Sequence, residues 1–318
     1  MVDDHEGLQA MALVAELDHP HALSLVSGRV GSVRLAAMTN VERYSAFSDQ
    51  PEGGNPAGVV LDATGLDASA MQAIATEVGY SETAFLVRRD APAAFAVRYF
   101  SPLAEVPFCG HATIATGVAL ARRDGPGLVT LETQAGTVPV RTDVDAQGRT
   151  TATLTSVAPR VEATPPELVE RALTALGWAP GELDASLPPR VAFAGARHLV
   201  LAAATRERLA RLDYEFDALR ELMLEHDLTT LQLVWREAPL VFHARDPFPV
   251  GGVIEDPATG AAAAGFGGYL RELGLITPPA RVTIHQGHDL GRPSLLLVDV
   301  DAERPEIQVT GAAVPIEH

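Results

Sequence analysis

Three short segments of the chain contain four side chains that could transfer protons. Cys109 and His111 lie two positions apart at the start of a run of small and apolar residues, within VPFCGHATIATGVALA at 106–121. Glu82 precedes the apolar stretch AFLV, and Asp256 opens DPATG, which leads into a second run of small residues. A thiol, an imidazole and two carboxylates are suited to general acid–base or nucleophilic work on a small molecule.

The run that follows His111 predicts a buried helix, because none of its faces is polar. A helix start leaves backbone N–H groups unpaired, attracts anions and stabilises a thiolate. One interpretation therefore makes Cys109 an activated thiol, and the other makes it a small buried residue that packs against a sheet. His111 could bind substrate, shuttle a proton or cap its helix.

A second helix of the same kind is predicted after the DPATG turn. Pro257 suits the first position of a helix, and Asp256 suits its N-cap. If the two halves of the chain face each other, both helix starts open into one cleft, where their N–H groups would bind a carboxylate. Asn55, Cys109 and the backbone of Gly110, Thr259 and Gly260 are candidate substrate contacts.

An internal duplication supports this arrangement. Residues 82–98 (ETAFLVRRDAPAAFAVR) align without a gap with residues 229–245 (TTLQLVWREAPLVFHAR), an offset of 147. Eight of these positions are identical, among them Arg98 and Arg245. The same offset aligns Cys109 with Asp256.

Periodicity and turn residues predict mixed helices and strands in both halves. The predicted helices outside the two central ones are 68–78, 166–176 and 216–225. The predicted strands are 41–47, 57–61, 83–87, 95–100, 129–132, 137–141, 151–154, 231–236 and 240–244, with a strand-rich region at 191–203. Prolines within 157–166 indicate a linker.

Composition excludes several functional classes. The 318 residues carry 24 basic and 41 acidic side chains, a net charge of −17. That charge argues against nucleic acid or an anionic membrane as partner. A single cysteine excludes an internal disulfide and a multi-cysteine zinc site. No apolar run is long enough for a membrane span, and the first ten residues are acidic where a signal peptide would be basic. We expect a cytoplasmic protein.

Residues 1–37 differ in character from the remainder. They are predicted to form a poorly ordered N-terminal extension, with an ordered arm as the alternative. The expected domains are then 38–158 and 159–318, and the last strand is a candidate to return to the first domain.

The motifs together resemble the PhzF family of phenazine-biosynthesis isomerases, which shares its fold with diaminopimelate epimerase and proline racemase. The matching segments, in family order, are Gly54-Asn55-Pro56, Ser81-Glu82-Thr83, Phe108-Cys109-Gly110-His111, Glu255-Asp256-Pro257-Ala258-Thr259-Gly260, Gln286-Gly287 and Gly291-Arg292-Pro293-Ser294. The resemblance implies an α+β fold of two similar domains, each a curved mixed sheet or barrel around a central helix. An internal pseudo-two-fold would relate these two domains. The resemblance also implies cofactor-independent chemistry and a homodimer.

In such a family Glu82 moves the proton, and His111 and Asp256 belong to the site. Glu82 is expected to be half-buried, which would raise its pKa and suit it to acid–base work; a strand-end surface residue is the alternative. Ala261 departs from the family's serine, which puts the phenazine-pathway substrate in doubt. The two-cysteine racemase mechanism is not available, because Asp256 occupies the second cysteine position.

Three functions remain open at this point. The first is an isomerase that acts on a small carboxylate-bearing metabolite through Glu82. The second is a racemase or epimerase in which Cys109 opposes a carboxylate, and the third is a non-catalytic binding protein on the same fold. His243, His285 and His288 show no spacing typical of a metal site, so no metal and no cofactor are predicted. Arg292 is expected either to help close the cleft or to form a structural turn.

Overall fold

The computed structural model describes residues 39–317, so the predicted extension at 1–37 lies outside the described residues. Its α-helices are α1 Ala68–Val78, α2 Gly110–Asp124, α3 Pro166–Leu176, α4 Arg206–Ala210, α5 Phe216–Glu225 and α6 Gly260–Glu272. Its strands are β1 Glu42–Ala46, β2 Asn55–Val60, β3 Glu82–Arg88, β4 Ala94–Phe100, β5 Glu105–Val106, β6 Leu128–Thr133, β7 Gly136–Val144, β8 Thr150–Thr155, β9 Arg160–Ala163, β10 Arg190–Phe193, β11 Arg197–Ala202, β12 Thr230–Ala238, β13 Val241–Pro247, β14 Glu255–Asp256, β15 Ala280–Gln286, β16 Ser294–Val300 and β17 Ile307–Pro315.

Eight strands close into a barrel around α2. The pairs β1–β2, β3–β4, β6–β7 and β7–β8 are antiparallel, whereas β2–β3 and β4–β6 are parallel. β17, the last strand of the chain, pairs with both β8 and β1 and completes the ring. The C-terminal segment is therefore built into the sheet of the first half.

The second half repeats the same order of connections around α6. β11–β12 and β13–β15 are parallel pairs, and β9–β10, β10–β11, β12–β13, β15–β16 and β16–β17 are antiparallel. β17 thus belongs to both curved sheets. The expected boundary between residues 158 and 159 stays a prediction.

Each central helix is the crossover between two parallel strands, β4 and β6 for α2 and β13 and β15 for α6. Every residue of α2 from His111 to Ala121 is buried, as the all-apolar pattern predicted. Glycine permits the close packing: a Cβ at Gly117 would lie 2.9 Å from Val140, and one at Gly267 would lie 2.8 Å from Val298. Side chains of the strands therefore pack directly against the helix backbones.

The α+β architecture confirms the predicted fold class, and two local predictions are wrong. The segment expected to be a linker contains β9, which pairs with β10. The second central helix begins at Gly260 with Thr259 at its N-cap, so Pro257 is not its first residue and Asp256 is not its cap. No helix within residues 39–317 is both long and apolar enough to cross a membrane.

Candidate active site

The starts of α2 and α6 face each other. A Cβ added at Gly110 would lie 3.8 Å from the Cα of Gly260, which is ordinary van der Waals contact. Neither N-cap residue, Cys109 or Thr259, makes a side-chain capping bond to its own helix. The positive ends of two helix dipoles therefore converge on one place, which favours a bound anion.

Glu82 lies beside the first helix start, at the beginning of β3. Its Oε2 lies 3.2 Å from Nε2 of His111 and 3.4 Å from Sγ of Cys109. The Glu82 side chain is 16% exposed, so the expected half-burial is confirmed. The structure thus brings together three of the predicted residues, and one Glu82 oxygen can accept from both neighbours.

Asn55 favours one tautomer of His111. Its amide Nδ2 lies 3.1 Å from the Nδ1 atom of His111, and both side chains are buried. The two hydrogens of this amide are shared among three acceptors, because Nδ2 also contacts Asp256 and the carbonyl of Ala258. An amide nitrogen can only donate, so the contact favours the neutral His111 tautomer with its proton on Nε2. That proton points towards Glu82 and towards Oγ of Ser81, which lies 3.2 Å away. His111 is therefore a donor to Glu82 in this arrangement.

Asp256 lies on the opposite side of Asn55 and receives hydrogen bonds. Nδ2 of Asn55 donates to its Oδ1 at 2.7 Å, and the hydroxyl of Thr259 donates to its Oδ2 at 2.6 Å. Burial raises the pKa of Asp256 to about 6, against the opposing effect of His111. Since both partners donate, they favour the ionised carboxylate, and a continuous chain of polar contacts joins Asp256 through Asn55 and His111 to Glu82.

Cys109 is a thiol rather than a thiolate. Burial, followed by the charge of Glu82, raises its pKa well above the ordinary value, although Ala112 N–H opposes this. Of the two interpretations of Cys109, burial and the neighbouring carboxylate favour the small buried residue over the activated thiol. The S–H group instead donates to Glu82.

Two family-type motifs hold the site from outside. Gln286 donates to the backbone oxygen of Asp256 at 2.8 Å and accepts from the N–H of Thr259 at 3.1 Å. The guanidinium of Arg292 donates to the carbonyls of Gly53 and Gly54 at 2.6 and 2.8 Å. Arg292 therefore clamps the loop that leads directly into Asn55.

Two bidentate arginine–glutamate pairs, the arginine forks Arg98–Glu105 and Arg245–Glu255, hold the turns that lead into the two central helices. Their role was not predicted from the sequence. Arg98 donates through Nε and Nη2 to Glu105 at 2.6 Å each. Arg245 makes the same bidentate contact with Glu255 at 3.0 and 2.5 Å. The identity of Arg98 and Arg245 in the repeat was the signal that could have revealed the pair.

Asp246 is a further buried group that the sequence analysis missed. It is fully buried, and the hydroxyl of Thr230 donates to it at 3.2 Å. Burial and then the charge of Asp256 raise its pKa well above the ordinary value. Its repeat partner is Tyr99, so no pattern in the chain marks this position.

Glu82, Cys109 and His111 also meet a loose geometric requirement for a metal site, because their ligand atoms lie within 4.8 Å of one another. Their contacts with each other involve a protonated thiol and a donating imidazole. A metal would have to displace both protons. The prediction of no metal here stays a prediction.

Comparison with known proteins places this geometry in a family. The profile described as phenazine biosynthesis-like protein, PhzC-PhzF, matches residues 44–318. The chain belongs to this family. A trans-2,3-dihydro-3-hydroxyanthranilate isomerase of Pseudomonas chlororaphis is 30% identical over 272 residues, covering 85% of this chain and 94% of the relative. An uncharacterized isomerase of Mesorhizobium japonicum is 33% identical, covering 86% and 95%.

A solved PhzF-family structure confirms the fold. The phenazine biosynthesis protein of Bacillus anthracis superposes with a TM-score of 0.79 at 28% identity, covering 88% of this chain and 97% of that one. The resemblance identified from the motifs is therefore confirmed, and the two PhzF-family relatives compared by sequence are both named isomerases.

Proposed function

We propose that this protein is a cofactor-independent isomerase that moves a proton between two carbon atoms of a small carboxylate-bearing metabolite. Glu82 is the proton carrier. The observation that carries this proposal is the position of Glu82, half-buried beside the start of α2, which faces the start of α6, and hydrogen-bonded by His111 and Cys109. Membership of a family with isomerases supports the reaction class.

The substrate carboxylate would lie between the starts of α2 and α6. The backbone N–H groups of Gly110, Gly260 and their neighbours would bind it, since the first N–H groups of a helix have no intrahelical partner. Asp256 and Asn55 would face the rest of the substrate and orient it. Thr259, the remaining predicted contact, would hold Asp256 in place through the Thr259 hydroxyl.

The proton transfer would take place on Glu82. The carboxylate removes a proton from a substrate carbon, and the electron pair of that C–H bond moves into the adjacent unsaturated system. Protonated Glu82 then returns the proton to another carbon, which gives an isomer with no net change in composition. The Nε2–H of His111 would stabilise the ionised form of Glu82 between turnovers.

The racemase alternative has less support. It needs a thiolate at Cys109, whereas burial and Glu82 raise the pKa of that thiol. The substrate proposal stays at the level of a small unsaturated carboxylic acid, because Ala261 replaces the serine that the family often has at this position. A homodimer and a cytoplasmic location also stay predictions.

The proposal is tested by NMR in deuterated water with trans-2,3-dihydro-3-hydroxyanthranilate and a panel of small unsaturated carboxylic acids. We expect one of these compounds to be isomerised with deuterium at a new carbon, and Glu82→Gln to lose about 10²–10⁴-fold in rate. Glu132→Gln, a surface substitution of the same type, should keep the wild-type rate. Full activity of Glu82→Gln on that compound would refute the mechanism. Exchange at one stereocentre without a positional shift would favour the racemase.

A further inference from the structure

Three histidines that the sequence left unassigned meet on the outer face of the second sheet. β13 and β15 are parallel neighbours that place His243 directly beside His285, and His288 follows in the short 3₁₀-helix His288–Leu290. The ring centroids lie 5.1 Å apart for His243–His285, 5.4 Å for His285–His288 and 5.9 Å for His243–His288. The rings therefore form a nearly equilateral triangle.

Two sides of this triangle match the spacing of imidazoles around one metal ion, and the third side is slightly longer. With metal–nitrogen bonds of about 2.0–2.1 Å and tetrahedral angles, the ring centroids around a zinc ion lie about 5–5.5 Å apart. Among residues 39–317, only the Glu82–Cys109–His111 group already has its ligand atoms within 4.8 Å of one another. Binding thus requires the His285 and His288 imidazoles to rotate towards His243, and the broad χ2 preference of histidine permits that.

Glu237 orients the imidazole ring of His243. Its Oε2 lies 2.8 Å from the Nε2 atom of His243, so neutral His243 donates from Nε2 and carries a lone pair on Nδ1. That Nδ1 atom is buried and has no hydrogen-bond partner within the described part of the chain. A carboxylate that accepts from one nitrogen of a histidine whose other nitrogen is free is the usual outer arrangement of a metal-binding histidine.

We propose that His243, His285 and His288 bind one transition-metal dication of the Zn²⁺ class, with Glu237 orienting His243 and a fourth position open to water. Imidazole is a preferred ligand for such ions. The site lies away from the cleft, because His243 and His285 point to the face of the sheet opposite the buried Phe242 and Ile284.

The surrounding charges suit a cation. Glu237 supplies a carboxylate, and Arg206, whose charge acts on His288, is paired with Asp289 at 2.9 Å. Only the neutral form of an imidazole binds a metal ion, and it is the ordinary form at neutral pH.

A metal here would support the candidate active site indirectly. Gln286, which lies between His285 and His288 in sequence, holds the Asp256–Thr259 turn. An ion that joins β13, β15 and the turn after Gln286 would restrain that segment. Bound metal should therefore raise the melting temperature.

The test is calorimetric titration of Zn²⁺ into chelator-treated protein at neutral pH. The protein would carry Cys109→Ala, so that the Glu82–Cys109–His111 group cannot contribute a thiolate. We expect one ion per chain, at least a 100-fold loss of affinity in His285→Gln and in His288→Gln, and a 10–100-fold loss in Glu237→Gln. His226→Gln, at the end of α5, should bind as the parent does.

A second readout makes the assignment independent of affinity. Co²⁺ bound by three imidazoles and water should give visible absorption bands that disappear in His285→Gln, while circular dichroism verifies that each variant is folded. Zinc binding that survives both His285→Gln and His288→Gln, or no stoichiometric binding by the folded parent protein, would overturn the proposal. Neither result would bear on Glu82 catalysis.

Discussion

Gly110 and Gly260 bring the first turns of the two central helices into contact. The Cβ that Gly110 lacks would lie 3.8 Å from Cα of Gly260, while a Cβ at Gly260 would lie 3.5 Å from the ring of Phe47. Both positions tolerate a methyl group without a backbone clash. The two glycines therefore keep the helix starts accessible to a ligand rather than relieve strain.

Gly110→Ala tests whether this gap binds the substrate carboxylate. The variant should fold, and its KM should rise roughly tenfold with a smaller change in kcat, because loss of a helix-dipole contact costs about 1–2 kcal/mol. Gly181→Ala, at a position with open space around the added methyl group, is the control. An unchanged KM for the same substrate would place the carboxylate elsewhere.

Asn55→Ala should reduce both stability and activity. The buried amide donates to Asp256 and to the carbonyl of Ala258, and its loss leaves these acceptors without their donor. The free energy of unfolding should fall by about 1–3 kcal/mol. Urea denaturation measures this change, with Asn40→Ala as an exposed control. Equal midpoints for the two variants would contradict the role of Asn55 as the link between the halves.

Sequence patterns sufficed for the fold because its two central helices are unusual. A run such as Ala112 to Ala121, apolar on every face, is typical of a helix that is buried on all sides, and a gap-free repeat indicated a second helix of this kind. The start of the second helix was misplaced because proline is common at a first helical position. The turn at Asp256 instead continues as a short strand pair, β13–β14, before the helix begins.

The site was predicted as a set of residues but not as a network. Sequence could not show that Asn55 contacts both His111 and Asp256, since these contacts join distant parts of the chain. Sequence left open whether Cys109 is an activated thiol, because the helix start was visible in it and the burial of Cys109 beside Glu82 was not. The histidine triangle depends on strand register, which no spacing rule supplied.

The duplicated arginine forks offer a comparison within one molecule. Glu255 is 1% exposed and its partner Arg245 is 9% exposed, whereas Glu105 and Arg98 are 22% and 37% exposed. Arg245→Met leaves a buried carboxylate unpaired and should cost about 3–5 kcal/mol. Arg98→Met should cost about 1 kcal/mol or less. Thermal and urea unfolding measure both, and equal losses would show that burial does not set the difference.

Asp256 should make stability depend on pH in an identifiable window. Its folded pKa of about 6 exceeds the ordinary 3.8, so the folded state binds the proton more tightly than the unfolded state does. This contribution is full below about pH 4 and is lost as pH rises through 6, by at most about 1.4 kcal/mol for each pH unit.

Asp256→Asn removes this titration while its amide can still meet Asn55 and Thr259. The stability of the variant relative to wild type should therefore increase between pH 4 and pH 6 and then level off. Asp90→Asn, in an exposed loop, should follow wild type throughout. Curves for wild type and Asp256→Asn that run parallel across this window would show that Asp256 is not the group responsible.

Cys109 allows the thiol assignment to be measured directly, because it is the only cysteine of the chain. Its raised pKa predicts that iodoacetamide alkylates the folded protein at neutral pH at least tenfold more slowly than the urea-unfolded protein, since only the thiolate reacts. The rate should still rise above pH 9. Glu82→Gln removes the neighbouring negative charge and should speed alkylation, whereas Glu132→Gln should not. Rapid alkylation of the folded wild type at neutral pH would indicate a thiolate and return weight to the racemase mechanism.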